Sequence, residues 1–127
     1  MTDLERDAAQ VVESLRALCH ASHFGGTPAP VVYAVLGELS LLGGRLGTAL
    51  NNLGTALNRS LETFDVYDKA RDPAESVRLA REHLLAASRI AETLTAEISA
   101  AQSAISQQGY TMPADTRTDN EIFNTPG

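Results

Sequence analysis

The sequence predicts an all-α protein built on a long antiparallel helical hairpin, with a shorter N-terminal helix packed at its base. The phrase Leu-Gly-Thr-Ala-Leu-Asn occurs twice within residues 46–58, at an interval of seven, which returns each side chain to the same helix face. Apolar residues recur in steps of three and four from Val31 to Ile105. Aromatic residues make up only 5% of 127 residues, so aliphatic side chains must fill the core, as in helical bundles.

The first helix is predicted at about residues 3–22. Thr2 and Glu5 have the spacing of a capping box, in which each side chain bonds to the other residue's backbone N–H. The segment His23–Gly26 ends the pattern. The predicted apolar seam consists of Leu4, Ala8, Val11, Leu15 and Leu18.

The second helix is predicted at about residues 30–69, after prolines that suit a first helical turn. The adjacent Gly43 and Gly44 each cost about 1 kcal/mol relative to Ala, so a kink there stays an open question. The predicted seam consists of Leu36, Leu39, Gly43, Leu46, Leu50, Leu53, Leu57, Ser60, Phe64 and Tyr67.

The third helix is predicted at about residues 73–108. Asp72 is expected to cap it, Pro73 occupies the first position, and Gly109 is expected to stop it in the left-handed conformation. The predicted seam consists of Val77, Ala80, Leu84, Ala87, Ala91, Leu94, Ile98, Ala101 and Ile105.

The second and third helices match in length and are joined by few residues, so we expect them to form an antiparallel hairpin. The first helix should reach only halfway along it, covering parts of residues 31–52 and 90–108. We interpret 1–108 as a single helical-bundle domain and 109–127 as a flexible tail, with Ile122 and Phe123 as a short docking element.

The charge of −6, from 16 acidic and 10 basic residues, includes no basic stripe, so we expect no nucleic-acid binding. The acidic N-terminus lacks the features of an export signal. The apolar stretch 31–44 contains Glu38 and is shorter than the ~20 residues that cross a bilayer, so we expect no membrane insertion. A single Cys19 requires no oxidising compartment. We therefore predict a cytoplasmic protein. The predominance of Arg over Lys among its basic residues suggests that it is bacterial.

No catalytic, cofactor-binding or metal-binding residue is predicted. The sequence contains no phosphate-binding loop, nucleophile elbow or paired carboxylates that would indicate an enzyme. Cys19, His20 and His23 are types that bind zinc, but their spacing matches no zinc site, and His83 lies on another helix. We expect Cys19 to be a core thiol and the histidines to end a helix.

Two features of the second helix suggest contacts. Small residues, Gly43, Gly47 and Gly54 among them, either form a second contact surface or accommodate the third helix, and both interpretations stay open. The outward face is almost uncharged over four turns, which favours contact with another protein surface. This face consists of Thr48, Asn51, Asn52, Thr55, Asn58 and Arg59.

These patterns predict a non-enzymatic interaction or assembly protein. It would form a homodimer by pairing the uncovered hairpin halves, and it would also bind a protein partner that the sequence does not identify. The predicted interaction residues are Gly43, Gly47, Leu50, Asn51, Leu53, Gly54, Leu57, Asn58, Leu61, Phe64, Leu84, Leu85, Ile122 and Phe123.

Two alternatives remain. Across residues 31–115 the plan resembles the small acidic helical-hairpin proteins exported by type VII secretion systems, which carry Trp-x-Gly at the turn and Tyr-x-x-x-Asp/Glu after the last helix. This chain has no Trp, its tip carries Tyr67, and Asp115 lies five residues after Tyr110. The resemblance implies an exported heterodimer. The other alternative is a ligand-sensing bundle, with a pocket left by the small residues of the second helix.

Overall fold

The computed structural model describes residues 2–113 as three helices, with no strand in that part of the chain. The helices are α1 (Asp3–Ala21), α2 (Ala29–Thr63) and α3 (Pro73–Ala104). α2 and α3 pack against each other along their length as an antiparallel hairpin. The predicted all-α hairpin is confirmed.

α1 begins at the predicted capping box. The Thr2 backbone N–H donates to Glu5 Oε1 at 2.8 Å, and the Glu5 N–H donates to Thr2 Oγ1 at 3.1 Å. The helix ends at Ala21, and the linker then turns at Gly25, whose φ of 65° lies in the left-handed region that favours glycine. The local signals therefore predicted both ends of α1 to within a residue.

α2 is continuous through Gly43 and Gly44 and ends at Thr63 rather than near residue 69. Phe64 is extended, with φ −121° and ψ 159°. The Asp68 carboxylate then accepts from the backbone N–H groups of Ala70 at 2.8 Å and Arg71 at 3.2 Å. This local turn competes with the helix and replaces its predicted last turns.

α3 begins at Pro73 as predicted, but the Asp72 side chain makes no capping hydrogen bond. The helix ends at Ala104 rather than 108. Gly109 does not supply a left-handed stop, because among the described residues only Gly25 is a glycine with positive φ. The prediction of a glycine stop at 109 is wrong.

α1 lies antiparallel beside the first half of α2, and it packs loosely. Two grooves separate the helices: Leu18 faces Val35 in one, and Leu15 faces Leu39 in the other. No Cα of α1 comes within 8 Å of a Cα of α2 or α3 in the described part of the chain, and no α1 residue is buried. The helix lies at the base of the hairpin as predicted, but the expected cover of residues 90–108 is absent, since the backbone of α3 lies out of its reach.

The centre of the hairpin is the seam between α2 and α3, and small residues fill it. Gly43, Gly47 and Gly54 are the buried residues of α2 beyond its first position. The buried residues of α3 are Val77, Ser88 and Ala91. The predicted seam is partly wrong, because three of its leucines are exposed: Leu46 is 43% exposed, Leu53 is 46% exposed and Leu94 is 48% exposed.

Each of the two helices carries two neighbouring rows of residues at heptad spacing, and the predicted seam assigned one row on each helix wrongly to the interface. On α2, Gly43 and Leu50 of the predicted seam lie toward α3, whereas Leu57 of the same row is 38% exposed. The second row in the interface is that of Ser40, Gly47 and Gly54 rather than that of Leu46 and Leu53. On α3, Ser88 and Thr95 replace Ala87 and Leu94. Small residues let the backbones approach closely, which excludes the bulkier row from the interface.

Candidate interaction surfaces

The seam is polar as well as narrow. The Ser88 hydroxyl donates to the Gly47 carbonyl at 3.4 Å and accepts from Asn51 Nδ2 at 3.2 Å. Ser40 Oγ and Ser99 Oγ lie 3.0 Å apart. Each of these bonds joins α2 to α3, so the hairpin is held by satisfied polar groups at close backbone distance.

The seam glycines are sites of close approach between α2 and α3, which is tightest at Gly43 and reaches ordinary van der Waals contact at Gly54. A Cβ at Gly43 would lie 2.1 Å from Thr95 Oγ1, and one at Gly47 would lie 3.2 Å from Ser88 Oγ. A Cβ at Gly54 would lie 3.4 Å from Leu84 Cδ1. Of the two interpretations, accommodation of α3 therefore holds. The three glycines are buried, and only Gly54 of the three also lines a groove at the surface.

The leucine row of α2 forms an apolar flank, defined here as Leu46, Leu53, Leu57 and Phe64. Leu39 belongs to the same row, and α1 lies over it. Beyond α1 the flank is open: Leu53, Leu57 and Phe64 are 46%, 38% and 69% exposed. The predicted uncovered upper half therefore exists, and it presents leucine rather than charge.

α1 adds apolar surface instead of closing the flank. Leu4 is 68% exposed, and Val11 and Leu15 remain exposed although they face α2. Val12, about 100° around the helix from Val11, is 61% exposed. α1 therefore has an apolar side toward α2 and a further apolar residue turned away from it.

A groove of about 560 Å³ with polar and apolar lining residues lies on the other side of the hairpin. Asn51 lies about 200° around α2 from Leu53, so the groove and the apolar flank face different directions. The groove is lined by Asn51, Gly54, Thr55, Asn58, Leu61, Ala74, Arg78, Arg81, Glu82, Leu84 and Leu85.

The predicted interaction residues therefore divide among three places. Asn51, Asn58 and Leu85 line the groove, together with the half-buried Leu61 and Leu84. Leu53, Leu57 and Phe64 belong to the apolar flank. Leu50 is half-buried in the seam. The sequence pattern did not show that these surfaces are separate, because all of them repeat every seven residues.

Arg78 and Glu82, two of the charged residues that line the groove, are paired within α3. Arg78 donates to Glu75 at 2.6 Å and also pairs with Glu82. The hydrogen bond from Arg78 holds the pKa of Glu75 below its usual value, and the same pair raises the pKa of Arg78. Because these groups are exposed, the pairs orient side chains more than they stabilise the fold.

The uncharged outer face of α2 satisfies its hydroxyl groups locally. Thr48 donates to the Gly44 carbonyl at 3.3 Å, and Thr55 donates to the Asn51 carbonyl at 3.2 Å. These residues therefore need no partner for their hydrogen bonds, which weakens the case for a protein contact on this face.

The thiol and histidines after α1 are placed differently from expectation. Cys19 is exposed, so the prediction of a core thiol is wrong: loosely packed α1 has no interior to hold it. The rings of His20 and His23 meet Phe24 edge-on, at 5.2 and 5.1 Å between centroids. Within residues 2–113 there is no group of three side chains suited to hold a metal ion.

α2 also meets the length and composition of a membrane-spanning helix, with a window of mean hydropathy 1.2 of which only 11% is buried. A helix with an exposed leucine face has the same length and composition as a membrane-spanning helix, and α2 carries the charged residues Glu38, Arg45, Arg59 and Glu62.

The predicted docking pair Ile122 and Phe123 lies outside the described residues.

Comparison of the chain with protein-family models finds no match, and comparison with curated proteins and with solved structures finds none either.

Proposed function

We propose that this protein is a non-enzymatic helical interaction or assembly protein whose first partner is a second copy of itself. The observation that carries the proposal is the apolar flank: Leu53, Leu57 and Phe64 are exposed while glycine and serine occupy the hairpin interior. A helix that keeps its leucines outside its own fold is suited to bury them against another chain.

The small interior of the isolated chain supports association. Among the described residues the only buried hydrophobic side chains are Ala29, Val77 and Ala91. A small domain depends on apolar burial to offset its chain entropy, and three short side chains contribute little.

Association with a second copy would bury the apolar surface area that the hairpin interior does not bury. A standard interface hides about 800 Å² on each partner, which at about 25 cal/mol per Å² corresponds to a gross gain of about 20 kcal/mol before entropic costs. The leucines of the flank and the exposed apolar side chains of α1 are surface of the kind that marks an interface.

A second candidate is the exported hairpin protein that travels with an unlike partner. The hairpin architecture and the exposure of Tyr110 in the segment after α3 favour it. This candidate requires an obligate unlike partner, and it predicts that removing the chain from Tyr110 onward abolishes export. Co-purification of wild-type and truncated chains from a secreting host distinguishes it from self-association.

The ligand-sensing alternative has less support, because α3 fills the space beside Gly43 and Gly47. Its remaining candidate site is the groove, whose lining includes Gly54 and Asn58. A thermal-shift screen of metabolites tests it, and a shift abolished by Asn58→Ala would favour it over a pure interaction protein.

The test of self-association uses Leu53→Glu, which places a charge in the centre of the apolar flank. We expect light scattering to show a wild-type dimer at micromolar concentration and at least 100-fold weaker association of the variant, because a buried unpaired carboxylate is costly. The matched control is Asn52→Glu, a substitution at the exposed neighbouring position on the outer face, which should leave association unchanged.

Two results contradict the proposal. One is a wild-type monomer at micromolar concentration, and the other is a Leu53→Glu variant that associates as tightly as the control. If the wild-type protein were a monomer that floats with lipid vesicles, the apolar surface of α2 would instead bind a membrane.

A further inference from the structure

We propose that α1 is an autoinhibitory helix. It occupies the first half of the leucine row of α2, and two copies pair along the whole row only after α1 has left it. This inference rests on the self-association proposed above and deepens it, because it specifies how that association is limited.

The first argument is that α1 and the apolar flank share one row of α2. Val35 and Leu39 lie within about 40° of Leu53 around the helix. Leu18 of α1 faces Val35, and Leu15 faces Leu39. α1 therefore covers the first half of the row whose second half is the open flank, and a second chain bound along the row would compete with it.

The second argument is length. The 35 residues of α2 correspond to about 52 Å at 1.5 Å per residue. The open part of the row from Leu53 to Phe64 spans only about 17 Å. A second hairpin laid along α2 would meet α1 before it reached the base, because packed helices lie about 8–10 Å apart and a docked helix raises the surface accordingly. While α1 is docked, a second copy has access only to the third of the row nearest the tip.

The third argument is that the docked α1 buries little surface. No α1 residue is buried, and no Cα of α1 comes within 8 Å of a Cα of α2 or α3 in the described part of the chain. Val11 is 45% exposed and Leu15 is 38% exposed, although both face α2. The free energy that opposes the release of α1 is correspondingly small, since it scales with the apolar area that docking removes from water.

The hairpin keeps its own contacts when α1 leaves. Residues 22–28 join α1 to α2 and include Gly25 and Gly26, where an added Cβ meets nothing within 4 Å. The hydrogen bonds of Ser88 and the contact between Ser40 and Ser99 join α2 directly to α3. Release of α1 therefore changes the leucine row without opening the seam.

The side chains of α1 suit a competitor rather than a member of the dimer interface. Leu15 and Leu18 face its own α2. The opposite side of α1 carries Arg6 and Glu13, which are ion-paired within the helix. Docked α1 has no second apolar side for a partner copy, so it takes surface away from the interface and adds none.

The test weakens the docking of α1 without changing α2. Leu15→Asp places a carboxylate on the side that faces Leu39, and Val11→Asp is a second variant on the same side. The apparent affinity of a chain falls with the fraction of chains that are competent to bind. We therefore expect sedimentation analysis to give a dimer dissociation constant at least about 10-fold lower for both variants than for wild type.

The matched control is Ala17→Asp. It adds the same side chain at an exposed position about 200° around α1 from Leu15. Because this side of α1 faces away from α2, the dissociation constant should remain that of wild type. Circular dichroism of all variants checks that the helical content is retained.

Hydrogen exchange measured by mass spectrometry locates α1 in the dimer. The amides of Asp3–Ala21 should exchange faster at concentrations where the wild-type dimer predominates than in the dilute monomer. The physical reason is that a helix without a surface to pack against frays. Slower exchange of these amides in the dimer would overturn the inference, since α1 would then be enclosed in the interface.

The outcomes separate the two proposals. Tighter association of Leu15→Asp and Val11→Asp, with faster exchange of α1 in the dimer, supports autoinhibition. A wild-type dimer whose two variants associate no more tightly than Ala17→Asp overturns autoinhibition and leaves self-association standing. A monomeric wild type with a dimeric Leu15→Asp variant supports autoinhibition and contradicts only the dimer of the unaltered chain. Monomers throughout overturn both proposals.

Discussion

The two long faces of α2 that carry its heptad pattern differ in the kind of surface they present. The seam toward α3 consists mostly of small residues, such as Gly43, Gly47 and Ala91, and it is closed, with Ser88 hydrogen-bonded to both Asn51 and Gly47. The apolar flank beside it is made of leucine and is open. Close backbone approach and polar bonds hold the hairpin, which leaves the bulky apolar side chains free for association.

This division has a consequence for folding and assembly. A hairpin joined by backbone proximity tolerates few changes in side-chain volume, since protein interiors are close-packed. An open leucine surface tolerates changes in volume but not the introduction of charge. Substitutions on the two faces should therefore affect different measured quantities, namely unfolding for the seam and dimer dissociation for the flank.

The largest expected effect on stability comes from Gly43→Leu. A Cβ alone would already meet Thr95 Oγ1, and a full leucine side chain overpacks the seam, so we expect a loss of about 3 kcal/mol or more in the free energy of unfolding. Urea denaturation followed by circular dichroism measures it. The matched control is Gly44→Leu, where an added Cβ meets nothing within 4 Å; that variant should be at least as stable as wild type. Equal losses in the two variants would contradict the assignment of the seam.

A smaller effect is expected for Ser88→Ala, which keeps the seam narrow and removes its hydroxyl. The Asn51 amide and the Gly47 carbonyl each lose a partner, so the free energy of unfolding should fall by about 1 kcal/mol. Thr93→Ala is the control, because the Thr93 hydroxyl is exposed and bonds only to its own helix at Arg89. If the Ser88→Ala protein were as stable as this control, the hydrogen bonds of Ser88 in the seam would contribute nothing to the free energy of unfolding.

The smallest effect concerns the tip, where the seam and the flank both end. The Ser76 hydroxyl, followed by the backbone N–H groups of Ala70 and Arg71, lowers the pKa of Asp68 below 3.8. The Ser76 hydroxyl also donates to the Pro73 carbonyl oxygen at an Oγ–O distance of 3.0 Å, and its one proton can serve one acceptor at a time.

The sign of the pH dependence follows from that shift. A carboxylate with a lowered pKa stabilises the folded state above its unfolded pKa, and this contribution is lost as the pH falls through the lower, folded value. Wild type should therefore exceed Asp68→Asn in stability at pH 6, and the difference should disappear as the pH falls through the lowered pKa of Asp68. A carboxyl carbon titration by NMR with a midpoint at or above 3.8 would show that the turn does not hold the charged form.

The sequence predicted the helices better than it predicted their ends. Local signals such as the Thr2 and Glu5 capping box and Pro73 placed the starts of α1 and α3, because they act within one turn. The ends at Thr63 and Ala104 were missed, since Phe64, Tyr67 and Ile105 continue the apolar spacing beyond the last helical turn. Periodicity alone does not mark where a competing turn at Asp68 begins.

The choice between seam and flank was harder to predict. The rows of Gly47 and Leu46 both repeat every seven residues. The prediction placed the leucine row in the interface with α3 because apolar side chains are usually buried. The decisive quantity is the distance between the two backbones, which depends on the small residues of both helices together. The Gly43 and Gly47 positions on α2, with Ser88 and Ala91 on α3, were the available signal.

The most direct test of the central claim, that the leucines outside the seam serve association, is the solution mass of the wild-type chain. Light scattering over a dilution series through the micromolar range should give twice the chain mass of 13.5 kDa at the upper concentrations, with dissociation on dilution. A mass of one chain at every concentration, together with full helical content, would contradict it.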